Sequence, residues 1–295
     1  MIISRIFQGL GNQLFQYAFG RATALRNGTQ LKLDTSFYEN SEITQFGYTY
    51  KRNFEIARYN IQHNEATRNE VEVFKGKRTP GIFQRAEFKL FPAHRPQVID
   101  EDLSIFSPEL NNLKGNLYLD GYFTSEEFFK DYAGIIRKEF TLKNSMNPEN
   151  QKWAEQMQTS NSVCISLRLT DFLHNPLHNV CSLEYYYSGL KKIEELLKSE
   201  ITVFIWSDDN DWTRENFKPS YKCHYMTHNY PDFNEDLRLM THCKHHVIPN
   251  STFSWWAAWL GEWKNQIVVS PERWLNGDEI EYRHVVPERW LKIKN

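Results

Sequence analysis

Apolar and polar residues alternate in blocks along the chain, and the blocks switch between the period of a strand and that of a helix. The run from Ile2 to Phe7 predicts a short strand, and Leu14 to Leu25 has apolar residues at helical spacing. Strand character returns at Gln30 to Asp34, so the opening is a strand, helix, strand unit typical of a parallel sheet. The stretch from Thr35 to about Pro96 is irregular and polar-aromatic, and we expect loops and short helices there.

A second strand and helix close the first half of the chain. The segment "NLYLDGYF", residues 116–123, predicts a strand that ends in a glycine turn. The residues after it predict a helix that begins with a capping box of Thr124 and Glu127. The polar stretch from Lys143 to Gln151 predicts the change of domain, so we expect one α/β domain over residues 1–150 and another over residues 151–295.

The second half alternates between strands and helices throughout. Strands are predicted at Val163 to Leu167 and Ile201 to Trp206, and then in "KCHYM", "HHVI" and "QIVV". Helical segments separate them, the first with Ser182 as its cap. This order predicts a doubly wound, Rossmann-like parallel sheet, in which ligands bind beyond the carboxyl ends of the strands.

Composition and charge narrow the class of protein. The chain has 295 residues, 40% of them hydrophobic, and a formal net charge of -2, which gives no overall attraction for nucleic acid. Its four cysteines lack metal-binding spacing and are expected to be reduced. We find no signal-peptide pattern and no apolar run of a membrane span, and therefore expect a cytoplasmic protein, with peripheral contact at the inner face of the membrane as an open alternative.

One candidate site follows the first strand of the second half. Arg168 and Asp171 come directly after a buried strand, where a guanidinium can make bidentate hydrogen bonds to a phosphate and the carboxylate can orient it. An ion pair at a strand edge would explain the two residues equally well if they stood alone. His174 and His178 follow in the same loop, where a general base could take a proton from a hydroxyl.

Two other segments combine a strand, a loop and a helix. In "GLGNQ" two glycines allow a close backbone approach to an anion or a sugar, and the side chains of Asn12 and Gln13 can bind hydroxyls. The spacing is not that of the dinucleotide fingerprint, and a tight turn is the plain alternative to a role for Gly11. In "PNSTFSWWAAWL" the residues Ser251, Thr252 and Ser254 open an aromatic helix, which suits a phosphate, although ordinary N-capping explains each one alone.

The acidic residues allow more than one interpretation. Asp209 and Asp211 in "SDDND" have the spacing by which metal-dependent transferases hold a divalent cation, but we favour capping of the next helix. Asp208 is then free to meet a base or a ribose. Asp236 has the default interpretation of a solvated charge in a first helical turn. His245 and His246 lie on a predicted strand, where we expect structural roles, and no set of residues has convincing zinc spacing.

Together these motifs resemble the GDP-fucose-dependent α1,2-fucosyltransferases of bacterial polysaccharide synthesis, glycosyltransferase family 11. The resemblance runs nearly the whole length and is most specific in "DLRLMTHCKHHVIPNSTFSWWAAWL". It also includes "GLGNQLFQYAFGRA", "GYFTSEEFF" and "FIWSDDNDW". The family pattern His-x-Arg-Arg-x-Asp is present with Ser166 for the histidine and Leu169 for the second arginine, and Gln8 stands where a glycine is usual.

The resemblance implies two Rossmann-like domains that face across a cleft, the GT-B type, with the donor held chiefly by residues 160–295. It implies inverting transfer of L-fucose from GDP-β-L-fucose to the 2-hydroxyl of a galactose-containing acceptor, which could be a lipid-linked oligosaccharide. It assigns Arg168 to the donor diphosphate and, more distantly, Asp236 to the guanine. It implies no metal and no cofactor. The alternatives are another nucleotide-sugar transferase, with a metal at Asp209 and Asp211, or a non-catalytic sugar or nucleotide binder.

Overall fold

The computed structural model describes residues 1–40, 42–45, 48–101, 107–170, 175–277 and 284–295. The chain divides into two compact units. Unit 1 consists mainly of Met1–Thr44 and Thr49–Lys143, and unit 2 mainly of Asn144–Tyr282 and Val286–Asn295. The main division therefore falls between Lys143 and Asn144, whereas the sequence places the predicted change of domain at residue 150.

Unit 1 is built on a four-stranded parallel sheet with the order β2-β1-β6-β5. The chain fills one side of β1 first and then returns to its other side, so the switch in direction lies between β1 and β6. The four strands are β1 (Ile2–Arg5), β2 (Leu31–Asp34), β5 (Gln97–Asp100) and β6 (Leu117–Asp120). The fully buried helix residue Phe19 packs against Phe123 and Phe128, with ring centroids 4.2 and 4.9 Å away.

Apart from the 17-residue α1 (Leu10–Arg26), the other described elements of the first half are short. The irregular polar-aromatic region has the short helices predicted for it, and also a two-stranded sheet of β3 (Glu42–Gln45) and β4 (Tyr48–Lys51) that was not predicted. The other described α-helices of this half are α2 (Arg68–Phe74), α3 (Ile82–Leu90) and α4 (Ala133–Glu139). Short 3-10 helices occupy Ser36–Asn40, Glu55–Arg58, Pro92–His94, Pro108–Asn112, Glu126–Phe128 and Lys130–Tyr132.

The predicted capping box at Thr124 and Glu127 is wrong. Ser125 is the capping residue, and its hydroxyl accepts a hydrogen bond of 3.3 Å from the backbone N–H of Glu127. The segment forms two 3-10 turns before α4 begins, because Phe129 leaves the helical conformation at φ -141°. This break lets the consecutive rings of Phe128 and Phe129 both enter the core, where they are 2% and 0% exposed.

Unit 2 contains a six-stranded parallel sheet with the order β12-β11-β10-β7-β8-β9. From β7 the chain proceeds outward through β8 and β9, then crosses back to the other side of β7 and continues outward from β10 to β12. This is the Rossmann order, and its switch point lies between β7 and β10. The strands are β7 (Ser162–Leu167), β8 (Thr202–Ser207), β9 (Lys222–Tyr225), β10 (His245–Val247), β11 (Val268–Pro271) and β12 (Leu291–Ile293).

In the described part of unit 2, one helix precedes the sheet and four connect its strands. The first is α5 (Pro148–Thr159), and the connecting helices are α6 (Leu183–Leu197), α7 (Asn210–Asn216), α8 (Phe233–Met240) and α9 (Thr252–Leu260). The cap predicted at Ser182 is confirmed, since its hydroxyl accepts from the N–H of Tyr185. The predicted α/β class with two Rossmann-like sheets is confirmed as well.

Helix α5 was not predicted, because it lies in the segment interpreted as a polar break between domains. Asn147 caps it by accepting from the N–H of Asn150 at 2.8 Å, and Pro148 occupies the first helical position. Only three of its twelve residues are buried, so its apolar periodicity is weak. The sequence signal for this helix is the Asn-Pro pair at its start rather than an apolar stripe.

Candidate functional site

The carboxyl end of β7 presents Arg168 beside the end of β8. Because β7 and β8 are parallel neighbours, with Leu167 opposite Ser207, the residues that follow both strands meet at one edge of the sheet. The guanidinium of Arg168 lies 3.2 Å from the carboxylate of Asp208. That carboxylate also accepts the backbone N–H of Leu169 at 2.8 Å and the hydroxyl of Thr170 at 2.9 Å. Asp208 therefore fixes the segment that carries the arginine.

Asp171 was the residue expected to orient Arg168, and among the described residues that role falls to Asp208. Asp171 and His174 lie outside the described residues. Leu169, which replaces the second arginine of the family pattern, is 8% exposed and joins the apolar core of unit 2. Ser166, in place of the histidine, is 6% exposed. These two replacements are therefore buried positions of the strand and its end.

The carboxyl end of β10, on the other side of β7, leads into α9. Ser251 stands at the N-cap position, but its side chain makes no capping hydrogen bond. Ser254, in the first turn, is 2% exposed, and its hydroxyl has no hydrogen-bond partner among the described residues. Ordinary side-chain capping thus does not account for the hydroxyls of these two serines. Thr252 is the first residue of the helix.

Tryptophan packing holds α9 in place. Trp255, Trp256 and Trp259 are at most 1% exposed. The ring of Trp256 meets those of Trp255 and Trp259 edge-on, with centroids 4.9 and 5.3 Å apart. A helix anchored by three buried indoles points its N-terminal amides in a fixed direction at the sheet edge.

Helix α6 fixes the ends of the two strands on either side of the switch point. Tyr185 donates its hydroxyl to the carbonyl of Ile248, just after β10, at 2.6 Å. Tyr186 donates to the carbonyl of Ser166, near the end of β7, at 3.3 Å. The helix can approach because residue 189 is glycine: a Cβ there would lie 2.6 Å from Cγ1 of Val247. These contacts hold the two strand ends in register with each other.

His178 belongs to the loop that follows the undescribed residues 171–174. Its backbone carbonyl accepts from the side-chain amide of Asn250 at 3.0 Å, which ties this loop to the residue just before Ser251. The structure therefore brings Arg168, Asp208, His178 and the start of α9 to three neighbouring loops at one sheet edge. Asn250 was not singled out in the sequence, and its place directly before Ser251 was the available signal.

Asp236 lies in the first turn of α8, in a setting different from the solvated one expected by default. Its carboxylate accepts from the indole N–H of Trp206 and from the side-chain amide of Asn229, both at 3.1 Å. Burial raises the pKa of Asp236 above the usual range for an aspartate, and the two hydrogen bonds oppose that shift. A partly desolvated carboxylate held by two donors is a suitable acceptor for the paired N–H groups of a purine.

The acidic run after β8 caps a helix, as expected. Asp209 is the N-cap residue of α7 and accepts from the N–H of Trp212 at 3.1 Å. Asp211 is an exposed residue in the first turn of the same helix. Within the described ranges, no group of three or more His, Cys, Asp and Glu side chains is placed to hold a metal ion.

His245 has the structural role expected of it. It is 5% exposed, and its Nδ1 accepts from the backbone N–H of Ile267 at 3.0 Å. Burial, assisted by the charge of Lys244, lowers the pKa of His245 to about 4. The imidazole is therefore neutral at physiological pH.

The glycine loop of unit 1 follows β1 and enters α1. Gly11 is buried in the first turn, and Asn12 is partly exposed beside it. The side chain of Gln13 is fully buried, and its amide nitrogen donates to the carbonyls of Gln8 and Asn53. Its amide oxygen accepts from the N–H groups of residues 55 and 56. A scaffold role accounts for every polar atom of Gln13, and its part in donor binding remains a prediction.

Comparison with known proteins identifies the family to which the chain belongs. Residues 102–293 match the model of glycosyl transferase family 11, which is more than half of the chain. The chain belongs to that family and is a glycosyltransferase. Two Rossmann-like units in such a chain correspond to the GT-B type predicted from the sequence.

The individual relatives have low sequence identity to this chain. The chain is 28% identical to an alpha-1,2-colitosyltransferase of Escherichia coli, covering 100% of this chain and 99% of the relative. It is 26% identical to the O-antigen biosynthesis glycosyltransferase WbnK of Escherichia coli, covering 92% and 93%. It is 29% identical to galactoside alpha-(1,2)-fucosyltransferase 1 of Bos taurus, covering 49% and 43%. A crystal structure of NodZ alpha-1,6-fucosyltransferase soaked with GDP-fucose matches with a TM-score of 0.46, 14% identity and coverage of 88% and 91%.

Proposed function

We propose that this chain transfers L-fucose from GDP-β-L-fucose to the 2-hydroxyl of a galactose-containing acceptor, with inversion to an α product. The observation that carries the proposal is the meeting of Arg168 with the start of α9 at the switch point of unit 2. This is where nucleotides bind in Rossmann-like sheets. Family membership and the names of the relatives that act in α1,2 linkages support the linkage.

The chemistry needs stabilisation of the departing diphosphate. As the bond from the anomeric carbon to the diphosphate breaks, positive charge develops on the sugar and negative charge on the leaving group. Arg168 donates two N–H groups toward that charge, while Asp208 keeps the guanidinium oriented. Backbone amides and the hydroxyls of Ser251, Thr252 and Ser254 at the start of α9 supply further donors.

We propose that the carboxylate of Asp236 accepts hydrogen bonds from the guanine base. Its carboxylate is already desolvated and fixed by Trp206 and Asn229, so little ordering is needed when a base with paired N–H groups arrives. We propose that the 2-hydroxyl of the acceptor sugar forms the new bond to the anomeric carbon and loses its proton to a base, for which Asp171, His174 and His178 are the candidates. Asp208, given its bonds to the arginine segment, acts as a positioning residue.

A second candidate donor comes from the relative that is similar over its full length. That protein is an alpha-1,2-colitosyltransferase, and colitose is the 3-deoxy analogue of fucose. Both sugars would leave the same GDP, so Arg168 and Asp236 would have the same tasks with either. The two donors differ only at the 3-hydroxyl of the transferred sugar.

One assay tests the proposal. The purified chain is mixed with lactose and either GDP-fucose or GDP-colitose, and both free GDP and the glycosylated product are measured, with and without EDTA. We expect both products from GDP-fucose and no effect of EDTA. Preference for GDP-colitose would assign the second donor, and loss of activity with EDTA would indicate a metal at Asp209 and Asp211. GDP binding with no turnover of either donor would identify a non-catalytic binder.

The natural acceptor is proposed to be a polysaccharide repeat on a lipid carrier. The similarity to the O-antigen biosynthesis glycosyltransferase WbnK supports this class of acceptor. No helix in the described part of the chain combines the length and apolar character needed to cross a bilayer.

A further inference from the structure

Helix α3 of unit 1 presents large apolar side chains to solvent. Phe83 is 91% exposed, Ile82 83% and Leu90 73%, and Phe91 directly after the helix is 55% exposed. No residue of the helix is buried. Leaving several large hydrophobic side chains in water is unfavourable, and a contiguous group of them marks an interaction surface.

The exposed residues form one stripe. At 100° per residue, Ile82, Phe83, Ala86 and Leu90 fall within a sector of about 100° on the helix. Phe88 lies on the opposite side of the helix and is its one residue that is partly buried, so this side is the one nearer the rest of unit 1. The apolar stripe is therefore directed away from the core.

The segment that carries this stripe is basic. Between residues 77 and 95 the sequence has five lysines and arginines and one carboxylate, in a chain whose formal net charge is -2. The single carboxylate, Glu87, is engaged by the ring of His94 at 2.9 Å. Arg85 and Lys89 lie along one side of the stripe on the helix itself, and the Arg85 guanidinium donates to the carbonyl of Pro80 at 2.9 Å. The basic residues are Lys77, Arg78, Arg85, Lys89 and Arg95.

An exposed apolar stripe with flanking cations fits the interface of an anionic bilayer. Phenylalanine, leucine and isoleucine enter the boundary between headgroups and acyl chains, while lysine and arginine meet the lipid phosphates. A second copy of the chain is a poor occupant, because it would bring two strongly basic segments together. We propose that α3 docks this chain on an anionic phospholipid surface, with Ile82, Phe83 and Leu90 inserted among the headgroups.

Sedimentation with vesicles tests the proposal and needs no sugar donor, so its outcome is independent of the proposed function. The full chain is mixed with phosphatidylcholine vesicles with and without phosphatidylglycerol, at low and at high salt. We expect binding to the vesicles that contain phosphatidylglycerol, and a loss of that binding as salt screens the phosphates. Equal binding to both vesicle types, or to neither, overturns the proposal.

Two double variants localise the contact. Arg85→Gln with Lys89→Gln should weaken vesicle binding roughly 20- to 30-fold, since each cation near an anionic surface contributes about fivefold. Phe83→Ser with Leu90→Ser should weaken it at least about tenfold through lost burial. The matched control is Leu196→Ser on α6, where a leucine 48% exposed is replaced outside the stripe, and it should bind as the parent does.

Circular dichroism and gel filtration accompany each variant. If the serine variant unfolds, the glutamine variant, which changes only exposed side chains, decides alone. Parental binding by a folded glutamine variant overturns the proposal. If the parent forms a dimer that Phe83→Ser dissolves while vesicle binding is unaffected, the stripe is a protein interface and the lipid proposal is wrong.

Discussion

Unit 1 and unit 2 both lead a central strand into a helix through a polar loop, but they use the polar groups differently. In unit 1 these polar side chains are bonded within the unit. Gln13 makes hydrogen bonds to four backbone groups, and Arg5 at the end of β1 pairs with Asp120 at 2.8 Å. In unit 2 the hydroxyls of Ser251 and Ser254 do not cap their own helix. The same strand, loop and helix order thus leaves its polar side chains committed in unit 1 and, among the described residues, its serine hydroxyls uncommitted in unit 2, and the proposed anion site in unit 2 depends on that difference.

The largest expected effect is the difference between replacing Arg168 and replacing Arg5. Arg168→Ala should lower the rate of transfer on the order of 10²- to 10³-fold, as with the loss of one donor to a developing anion. It should also weaken GDP binding measured by calorimetry. Arg5→Ala is the matched control, because Arg5 also lies at the carboxyl end of a central strand and also pairs with an aspartate. The GDP affinity of this variant should equal that of the parent. Equal losses of GDP affinity in the two variants would show that the two sheet edges do not differ in nucleotide binding.

The next largest expected effect is a difference between the two units in how their stability depends on pH. In unit 2 the pKa of buried His245 is about 4, below the value near 6.5 of an unfolded histidine. Between these values the unfolded chain binds more protons, so the free energy of unfolding falls as pH drops from about 6.5 to about 4, by about 3 kcal/mol. The lowered pKa values of His224 and His242, also caused by burial, act in the same direction.

Unit 1 should lose stability in the same direction but at lower pH. Hydrogen bonds from Tyr118 and Ser36 lower the pKa of Asp34 despite its burial, so its contribution is lost only as pH falls below the ordinary range of an aspartate. Hydrogen exchange read by mass spectrometry should show protection of β7 and β10 falling at a higher pH than that of β1 and β6. His245→Asn should reduce the pH dependence in unit 2. Simultaneous loss in both sheets would contradict this expectation.

Asp236→Asn should separate stability from binding. The raised pKa of Asp236 means that the folded state disfavours its ionised form at neutral pH, so the neutral amide should keep or increase thermal stability. The amide oxygen can still accept from Trp206 and Asn229. Loss of the charge-assisted bond to guanine should weaken GDP binding roughly 10- to 100-fold. A variant that melts lower and binds GDP normally would assign Asp236 to the scaffold.

The smallest effect concerns backbone strain at Gln8. This residue has φ 65°, in the region that favours glycine, and its carbonyl is held by Gln13 and Tyr38. Gln8→Gly should stabilise unit 1 by up to about 1 kcal/mol, since relief of strain exceeds the added freedom of the unfolded chain. Lys198→Gly, at φ 52° after α6, is the counterpart in unit 2. A lower melting temperature for both variants would show that strain is absent.

Most strands of the two sheets were predictable because their signals are local. Apolar blocks at strand and helix periods predicted every strand of the two Rossmann-like sheets except β5 and β12, which lie at sheet edges. The position of a residue after a strand predicted the place of Arg168 at the sheet edge. Local signals failed where the tertiary environment decides. The capping box occurs at Thr67 and Glu70, where both reciprocal hydrogen bonds form, and not at Thr124, where burial of Phe128 and Phe129 imposes a different backbone.

The pairings within the site were not accessible from the sequence. Arg168 pairs with Asp208 because β7 and β8 are neighbours in register, and spacing in the sequence carries no such information. Asp236 reads as a solvated charge until Trp206 and Asn229 are placed around it. The orienting role of Asp208 and the burial of Asp236 could therefore be recognised only from the fold. The residue types at the strand ends could be read from the sequence.

The missing side chain at Gly189 has a consequence for changing donor preference by mutation. A methyl group there would meet Val247 at 2.6 Å and push α6 away from β10, along with the tyrosines that hold both strand ends. Selection for new donors should therefore tolerate change among the loop hydroxyls yet reject alanine at position 189. A position outside the proposed donor site thus limits which variants of that site can fold.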